Sequence, residues 1–278
     1  MIAKRCDNAE RLPSARTVDG WLREREALPA APRGEGLKWD SRWGKYIVPS
    51  AARAPAACRV ALLSGSPIAC ALLRGLTDET GVSIVGIATD ELIERRARIS
   101  RRKRVWRHLT PRERAEQQAA VELTALRAGA PVFSGDIKSR AFQQIFARWA
   151  PDVILMCCFG QLLLPAVFTA PALGAYNFHP SNLDPDGDGG YPGTTPIESA
   201  IADQRSHLPT TCHHIDEAFD TGPFVGVGRP VSLRDDEGRY LPVFGVLEAL
   251  GPEVTRMAKR LLAALRSRRA PVHRLDLA

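Results

Sequence analysis

Pro151-Asp152-Val153-Ile154-Leu155-Met156-Cys157-Cys158 constrains the fold more than any other stretch. A helix breaker opens a run of six apolar residues with no polar alternation. Such a run is a strand covered on both faces, the situation of a parallel sheet between two helical layers. Its neighbours repeat the theme. Arg59 to Leu63 is a short buried strand, Ser64-Gly65-Ser66-Pro67 a tight turn, and Ile68 to Leu76 an apolar helix. Val82 to Ala88 reads as the second strand, Pro111 to Ala128 as a helix, Pro131 to Ser134 as a third strand, and Lys138 to Trp149 as a helix. Strand, glycine turn and helix in alternation predict an α/β fold with a doubly wound, Rossmann-like, mostly parallel sheet.

Two polar stretches interrupt this pattern where chemistry belongs. Leu173 to Phe178 reads as a strand running into Asn177-Phe178-His179-Pro180-Ser181, and Thr210 to Ile215 as a strand running into Asp216-Glu217-Ala218-Phe219-Asp220-Thr221-Gly222. Asn177, His179 and Asp220 delivered from the carboxyl ends of two strands would converge on one site. Acyl transfer between nitrogens passes through an anionic oxygen that needs a preorganised donor such as Asn177. It also needs a proton carrier near neutral pH, which suits His179, and a carboxylate to orient that ring, which suits Asp220. No serine or cysteine sits in a G-x-S-x-G setting, so direct transfer is expected.

The two motifs in this order, with Thr195-Pro196-Ile197 between them, resemble the 10-formyltetrahydrofolate-dependent formyltransferases. Ala218 stands where that family usually has glycine. The resemblance runs from about Arg59 to Leu233 and implies a formyltransferase fold with 10-formyltetrahydrofolate as cosubstrate and no metal. It implies Asn177 as oxyanion donor, His179 as proton shuttle and Asp220 as its carboxylate partner. It places the pterin on Phe159, Gly160, Gln161, Leu162 and Leu163, with Asp216 and the backbone before Asp220 on the same cofactor side. Ser64, Gly65, Ser66 and Ser181 are the expected acceptor contacts.

Departures from the family pattern bear on the acceptor. Leu183 to Gly193, LDPDGDGGYPG, has Asp184, Asp186 and Asp188 and lacks the family's arginine. An acidic loop on the acceptor side suits a cationic amine over a phosphorylated one. Pro67 removes an N–H that a phosphate would use. Methionyl-tRNA enzymes carry a further C-terminal domain, whereas here one helix, from Ala249 or Glu253 to Arg266, and a tail follow. The layout is similar to hydroxyornithine formyltransferases of siderophore biosynthesis, so N5-hydroxyornithine is the expected acceptor. Formyltetrahydrofolate hydrolysis, and glycinamide ribonucleotide or amino-sugar formylation, are the alternatives.

Composition narrows the remaining classes. The chain has 278 residues, 45% hydrophobic and 25% charged, the balance of a soluble globular protein. No apolar run approaches the ~20 residues of a membrane helix, and Met1 to Cys6 leads into charged residues, not a secretory leader. A cytoplasmic location follows, without a membrane partner. The six cysteines form no C-x-x-C pair and read as free thiols. Cys212-His213-His214-x-Asp216 reads as a structural strand with Cys212, His214 and Asp216 on one face and His213 pointing away, and not as a metal site. The net charge of +7 is matched by one segment, Glu94 to Arg107, with eight Arg or Lys against one Glu. With a single interleaved aromatic, Trp106, it is no stacking platform for nucleic acid. Salt-dependent RNA binding is the competing reading. The expected partners are therefore a small amine and folate, and the sequence leaves the oligomeric state open. Residues 1–57, rich in Pro and Ala with Trp21, Trp39 and Trp43, read as an N-terminal extension with a short hairpin between Leu37 and Val48, and residues 58–278 as the catalytic domain.

Overall fold

The computed structural model describes residues 37–41, 44–49, 58–89, 109–187 and 189–278. Five parallel strands form the centre: β3 (Cys58–Ser64), β4 (Val82–Thr89), β5 (Val132–Gly135), β6 (Val153–Cys157) and β7 (Ala175–His179). The chain lays β4 and β5 outward on one side of β3, then returns to place β6 and β7 on the other. This reversal between β3 and β6 opens a crevice at the carboxyl ends of the strands. β6 is buried at every position, as its unbroken apolar run requires.

Alternation along the strands feeds two cores. Val60, Leu62, Leu155 and Phe178 face a layer containing α1 (Ile68–Thr77), α2 (Pro111–Arg127) and α6 (Val243–Arg268). Ala61, Leu63, Ile154 and Met156 face α3 (Arg140–Trp149) through Phe142, Ile145, Phe146 and Trp149. α2 begins at Pro111 because Thr110 and Glu113 form a capping box ahead of it. α3 begins two residues later than Lys138, because the Ser139 side chain takes the N-cap and accepts from the Phe142 N–H. Pro67 sits one residue before the first helical residue of α1.

Three sequence expectations are revised. The Leu37–Val48 hairpin forms, as β1 (Leu37–Ser41) and β2 (Gly44–Val48), but it belongs to the sheet: β2 pairs antiparallel with β5. A domain boundary at residue 57 therefore cuts through one nine-stranded sheet. Tyr46 of β2 packs against Trp149 and accepts its indole N–H at 3.2 Å. The side chains of Trp21, Trp39 and Trp43, and the basic segment 94–107, lie outside the described residues. Second, α6 starts at Val243, ahead of Pro252, because Val246, Leu247 and Leu250 bury a full face before the proline. Third, Pro223 to Leu233, whose apolar residues after the acidic turn read as one strand, splits into β10 (Phe224–Val227) and β11 (Val231–Ser232), the latter paired with β8 (His207–Leu208) in a separate ribbon.

β9 (Thr211–His214) and β10 complete the sheet beyond β7, and both run antiparallel to their neighbours. The segment after α6 returns along this side. Val272 N–H donates to the Tyr176 hydroxyl at 2.9 Å, and Leu275 N–H donates to the Val225 carbonyl at 2.8 Å. No helix among the described residues is long and apolar enough to cross a membrane.

Candidate active site

β7 ends in the crevice with Asn177 and His179 on one face, two residues apart, as strand alternation dictates. Asp220 reaches them by another route than expected. β9 runs antiparallel to β7, with His213 opposite Asn177 and Thr211 opposite His179, so its carboxyl end points away from the crevice. The turn through residues 215–222 doubles back to bring Asp220 in. Asp220 itself sits at φ +59, a left-handed conformation that Asp tolerates better than most residues. Gly222 permits the return, because a Cβ there would lie 1.9 Å from the His214 carbonyl oxygen. Gly222→Ala is expected to displace the turn and cut turnover at least tenfold, with a fold retained by circular dichroism; wild-type kinetics would contradict this role for the glycine.

The three side chains converge. Asp220 Oδ1 lies 3.2 Å from His179 Nδ1 and accepts from Asn177 Nδ2 at 3.3 Å, and its Oδ2 accepts from the Gly193 N–H at 2.8 Å. Burial alone would raise the Asp220 carboxyl. Hydrogen bonds from His179 and Gly193, with the His213 ring beside it, outweigh burial and hold the group far below the usual carboxylate range. His179 Nε2 faces the Tyr191 carbonyl at 2.8 Å. Both partners of His179 only accept, so the ring fills both bonds when both nitrogens carry hydrogen.

His213 is the site residue that sequence reasoning placed on the right face but did not include in the site. It is buried, and its Nδ1 donates to the His214 carbonyl at 2.7 Å. That leaves Nε2 as acceptor for Asn177 Nδ2 at 3.0 Å. Asn177 thus has its amide orientation set from two sides, by the carboxylate and by the imidazole. The usable signal was strand direction: an antiparallel neighbour puts His213 directly across from Asn177 on the same face. Cys212 and His214 face the other way, Cys212 into the core and His214 against Tyr176, with its Nε2 on the Val272 carbonyl at 2.9 Å.

A cavity of about 1000 Å³, its open mouth included, lies over this cluster. Asn177, His213 and Asp220 reach its wall, while His179 is covered by the Tyr191 carbonyl. Phe159, Gly160, Gln161, Leu162 and Leu163 line it, together with Ile215, Ala218, Phe219, Val243 and Leu247. A largely apolar slot of this size with a few convergent polar groups suits a flat heterocyclic ligand. Gln161 anchors the wall by donating to the Gly135 carbonyl at 2.8 Å and accepting from the Ile137 N–H at 3.2 Å.

Several expected binding residues lie off this wall. Asp216 closes its own turn, accepting from the Thr221 hydroxyl at 2.8 Å and the Ala218 N–H at 3.1 Å. Ser64 donates to the Gly65 carbonyl, which also accepts from Ala69 at the start of α1, and Ser66 donates to Gln117 at 2.6 Å. Ser181 is fully buried and accepts from the Tyr191 N–H at 2.6 Å, pinning the loop that covers His179. Asp184 accepts from the Asp186 N–H within a tight turn, and Asp186 is solvated 3.7 Å from Arg274. The aspartates of this loop thus serve turn geometry and solvent contact; Asp188 lies outside the described residues. Glu198 of α5 (Pro196–Ala202) is the acid that lines the cavity besides Asp220.

A doubly wound sheet with an Asn–His–Asp cluster at its carboxyl edge, under an apolar slot, defines an α/β domain with a candidate active site at the crevice of its sheet. Residues 107–238 match the family model described as Formyl transferase. The chain is 31% identical over 168 residues to a methionyl-tRNA formyltransferase of Syntrophus aciditrophicus, covering 58% of this chain and 50% of that protein. To the methionyl-tRNA formyltransferase of a Roseiflexus species it is 29% identical over 197 residues, covering 70% of this chain and 54% of that protein. The chain thus spans about half the length of these curated relatives. Among solved structures, a phosphoribosylglycinamide formyltransferase from Bacillus halodurans superposes with a TM-score of 0.53 at 20% identity, covering 76% of this chain and 96% of that one. That likeness establishes a shared fold.

Proposed function

We propose that the protein transfers a formyl group from 10-formyltetrahydrofolate to the nitrogen of a small amine or hydroxylamine. The observation that carries this reading is the convergence of Asn177 and His179 on the Asp220 carboxylate, each within 3.3 Å of it, beneath the apolar slot. The pterin would lie along Phe159 to Leu163, with the backbone of Ala218 and Phe219 at its polar edge. The Asn177 amide would donate to the formyl oxygen as charge develops there, exchanging its longer bond to Asp220 for the stronger acceptor. The acceptor nitrogen would take the place of the Tyr191 carbonyl at His179 Nε2, so the loop carrying Tyr191 opens for the acceptor. Asp220 keeps the His179 ring in position while its proton moves.

Besides Asp220 the cavity wall carries, among the described residues, one acid, Glu198, consistent with the cationic acceptor that the sequence suggests. N5-hydroxyornithine is the best candidate of that class, although Asp184 and Asp186, engaged in their own turn and in solvent, do not contribute to its site. A second reading, formylation of methionyl-tRNA, is favoured by the names of the relatives. Purified protein with 10-formyltetrahydrofolate and each acceptor in turn separates the readings by tetrahydrofolate release. Turnover with N5-hydroxyornithine supports the first reading and turnover with methionyl-tRNA alone the second. Equal release without acceptor would make the protein a hydrolase and overturn both.

A further inference from the structure

Cys157 and Cys158 close β6 beside the cavity, and nothing in the proposed reaction uses them. Their sulfurs are 3.7 Å apart. Cys157 is 1% exposed and points into the core, while Cys158 is half-buried and lines the cavity next to Phe159. Cys158 also holds φ +52, a left-handed conformation uncommon for a residue with a Cβ. The adjacent thiol and burial push Cys157 well above the ordinary thiol range, so it stays protonated until a partner sulfur is activated.

We propose that Cys157 and Cys158 form an oxidation site for a peroxide, closing to a disulfide between adjacent residues that deforms the folate wall. In the first step the Cys158 sulfur, which the cavity exposes, attacks one peroxide oxygen, breaking the O–O bond and leaving a sulfenic acid and water. In the second, the Cys157 sulfur attacks the sulfenic sulfur, the S–O bond breaks, and a second water departs with the Cys157 proton. Two thiols and one peroxide thus give one disulfide and two waters. A bond of about 2.0 Å requires the sulfurs to approach each other from their present separation. Adjacent Cα atoms are about 3.8 Å apart across a trans peptide, closer than the ~4.4 Å lower end of ordinary disulfides. The backbone therefore has to turn at Cys158, and Phe159 and Gly160 follow it directly. Disulfides made under such constraint are the readily reduced, reversible ones.

The effect on folate rests on the proposed folate site, but the thiol chemistry does not, and the test separates them. The full chain is treated with hydrogen peroxide, and intact mass, peptide mapping and stabilisation by a non-reactive folate analogue are measured before and after dithiothreitol. The expected result is loss of the mass of two hydrogens, mapped to Cys157–Cys158, with folate affinity falling at least fivefold and returning on reduction. Cys157→Ala, which removes a buried sulfur behind the wall, is expected to keep its folate response when untreated. After peroxide it should gain oxygen at Cys158 and lose no pair of hydrogens, with dithiothreitol reversing the sulfenic acid but not the sulfinic or sulfonic forms; Cys157→Ser serves if the alanine variant folds poorly. Wild-type protein that gains oxygen in place of losing hydrogen overturns the site. A ring that closes with an unchanged folate shift overturns its coupling to the wall. An untreated protein that never responds to folate, yet closes the ring, overturns the proposed folate reading and leaves the thiol site standing.

Discussion

His179→Ala is expected to lower folate-dependent formyl transfer by about 10²–10⁴-fold, the usual range for removing a proton-transfer group. The ring is buried and bonded at both nitrogens, to Asp220 at 3.2 Å and to the Tyr191 carbonyl at 2.8 Å. Its loss leaves the Asn177 amide and the cavity wall in place, because neither is held by His179. The variant should therefore bind a folate analogue with nearly wild-type affinity while turnover collapses, a kcat effect with little change in KM. A rate within threefold of wild type would remove His179 from the reaction.

Asp220→Asn is expected to have an effect as large on rate and a larger one on stability. One carboxylate orients His179, accepts from Asn177 and accepts from the Gly193 N–H. An amide of the same shape presents one acceptor where the carboxylate presents two, so at least one buried donor loses its partner. Losing a hydrogen bond to a charged group costs about 1.5–3 kcal/mol. The pH dependence follows in sign. The Asp220 carboxyl is held far below its unfolded value of about 3.9, so ionised Asp220 stabilises the fold above that pH. That contribution is lost progressively as pH falls from the unfolded value and is gone below the depressed folded value. Denaturant titrations from neutral to acid pH should show wild-type stability dropping below about pH 4, with the asparagine variant flatter over the same range. Parallel curves would contradict a charged Asp220. The acid limb of the rate profile, measured between pH 5 and 8, should then belong to a group other than Asp220.

Much of this arrangement is legible in the chain because a few residues over-determine it. Val153 to Cys157 has no polar position to offer solvent, which requires a covered strand, and the covered strand requires helices on both sides. Asn177 and His179 follow from alternation along the next strand. Asp220 is marked by the turn that ends at Gly222, where only glycine fits under the His214 carbonyl. Strand direction is what local pattern does not carry. Period-two reading separates His213 from Cys212 and His214 correctly, but whether the His213 face meets Asn177 depends on β9 being antiparallel to β7. The loop aspartates mislead for a related reason. Asp and Gly in alternation suit both a charged lining and a self-bonded turn, and the Asp184–Asp186 turn is the second. The hairpin at 37–48 shows the same gap, since its pairing partner β5 lies some ninety residues downstream.

The measurement closest to the central claim is the product balance of one reaction: purified protein, 10-formyltetrahydrofolate and N5-hydroxyornithine, with tetrahydrofolate and formylated acceptor quantified together by mass spectrometry. If Asn177, His179 and Asp220 move a formyl group to a cationic acceptor, the two products appear in equal amounts, release without acceptor is small, and both products vanish in His179→Ala. Tetrahydrofolate release at the same rate in wild type and His179→Ala, or none from either with any amine or hydroxylamine acceptor or methionyl-tRNA, would contradict the account.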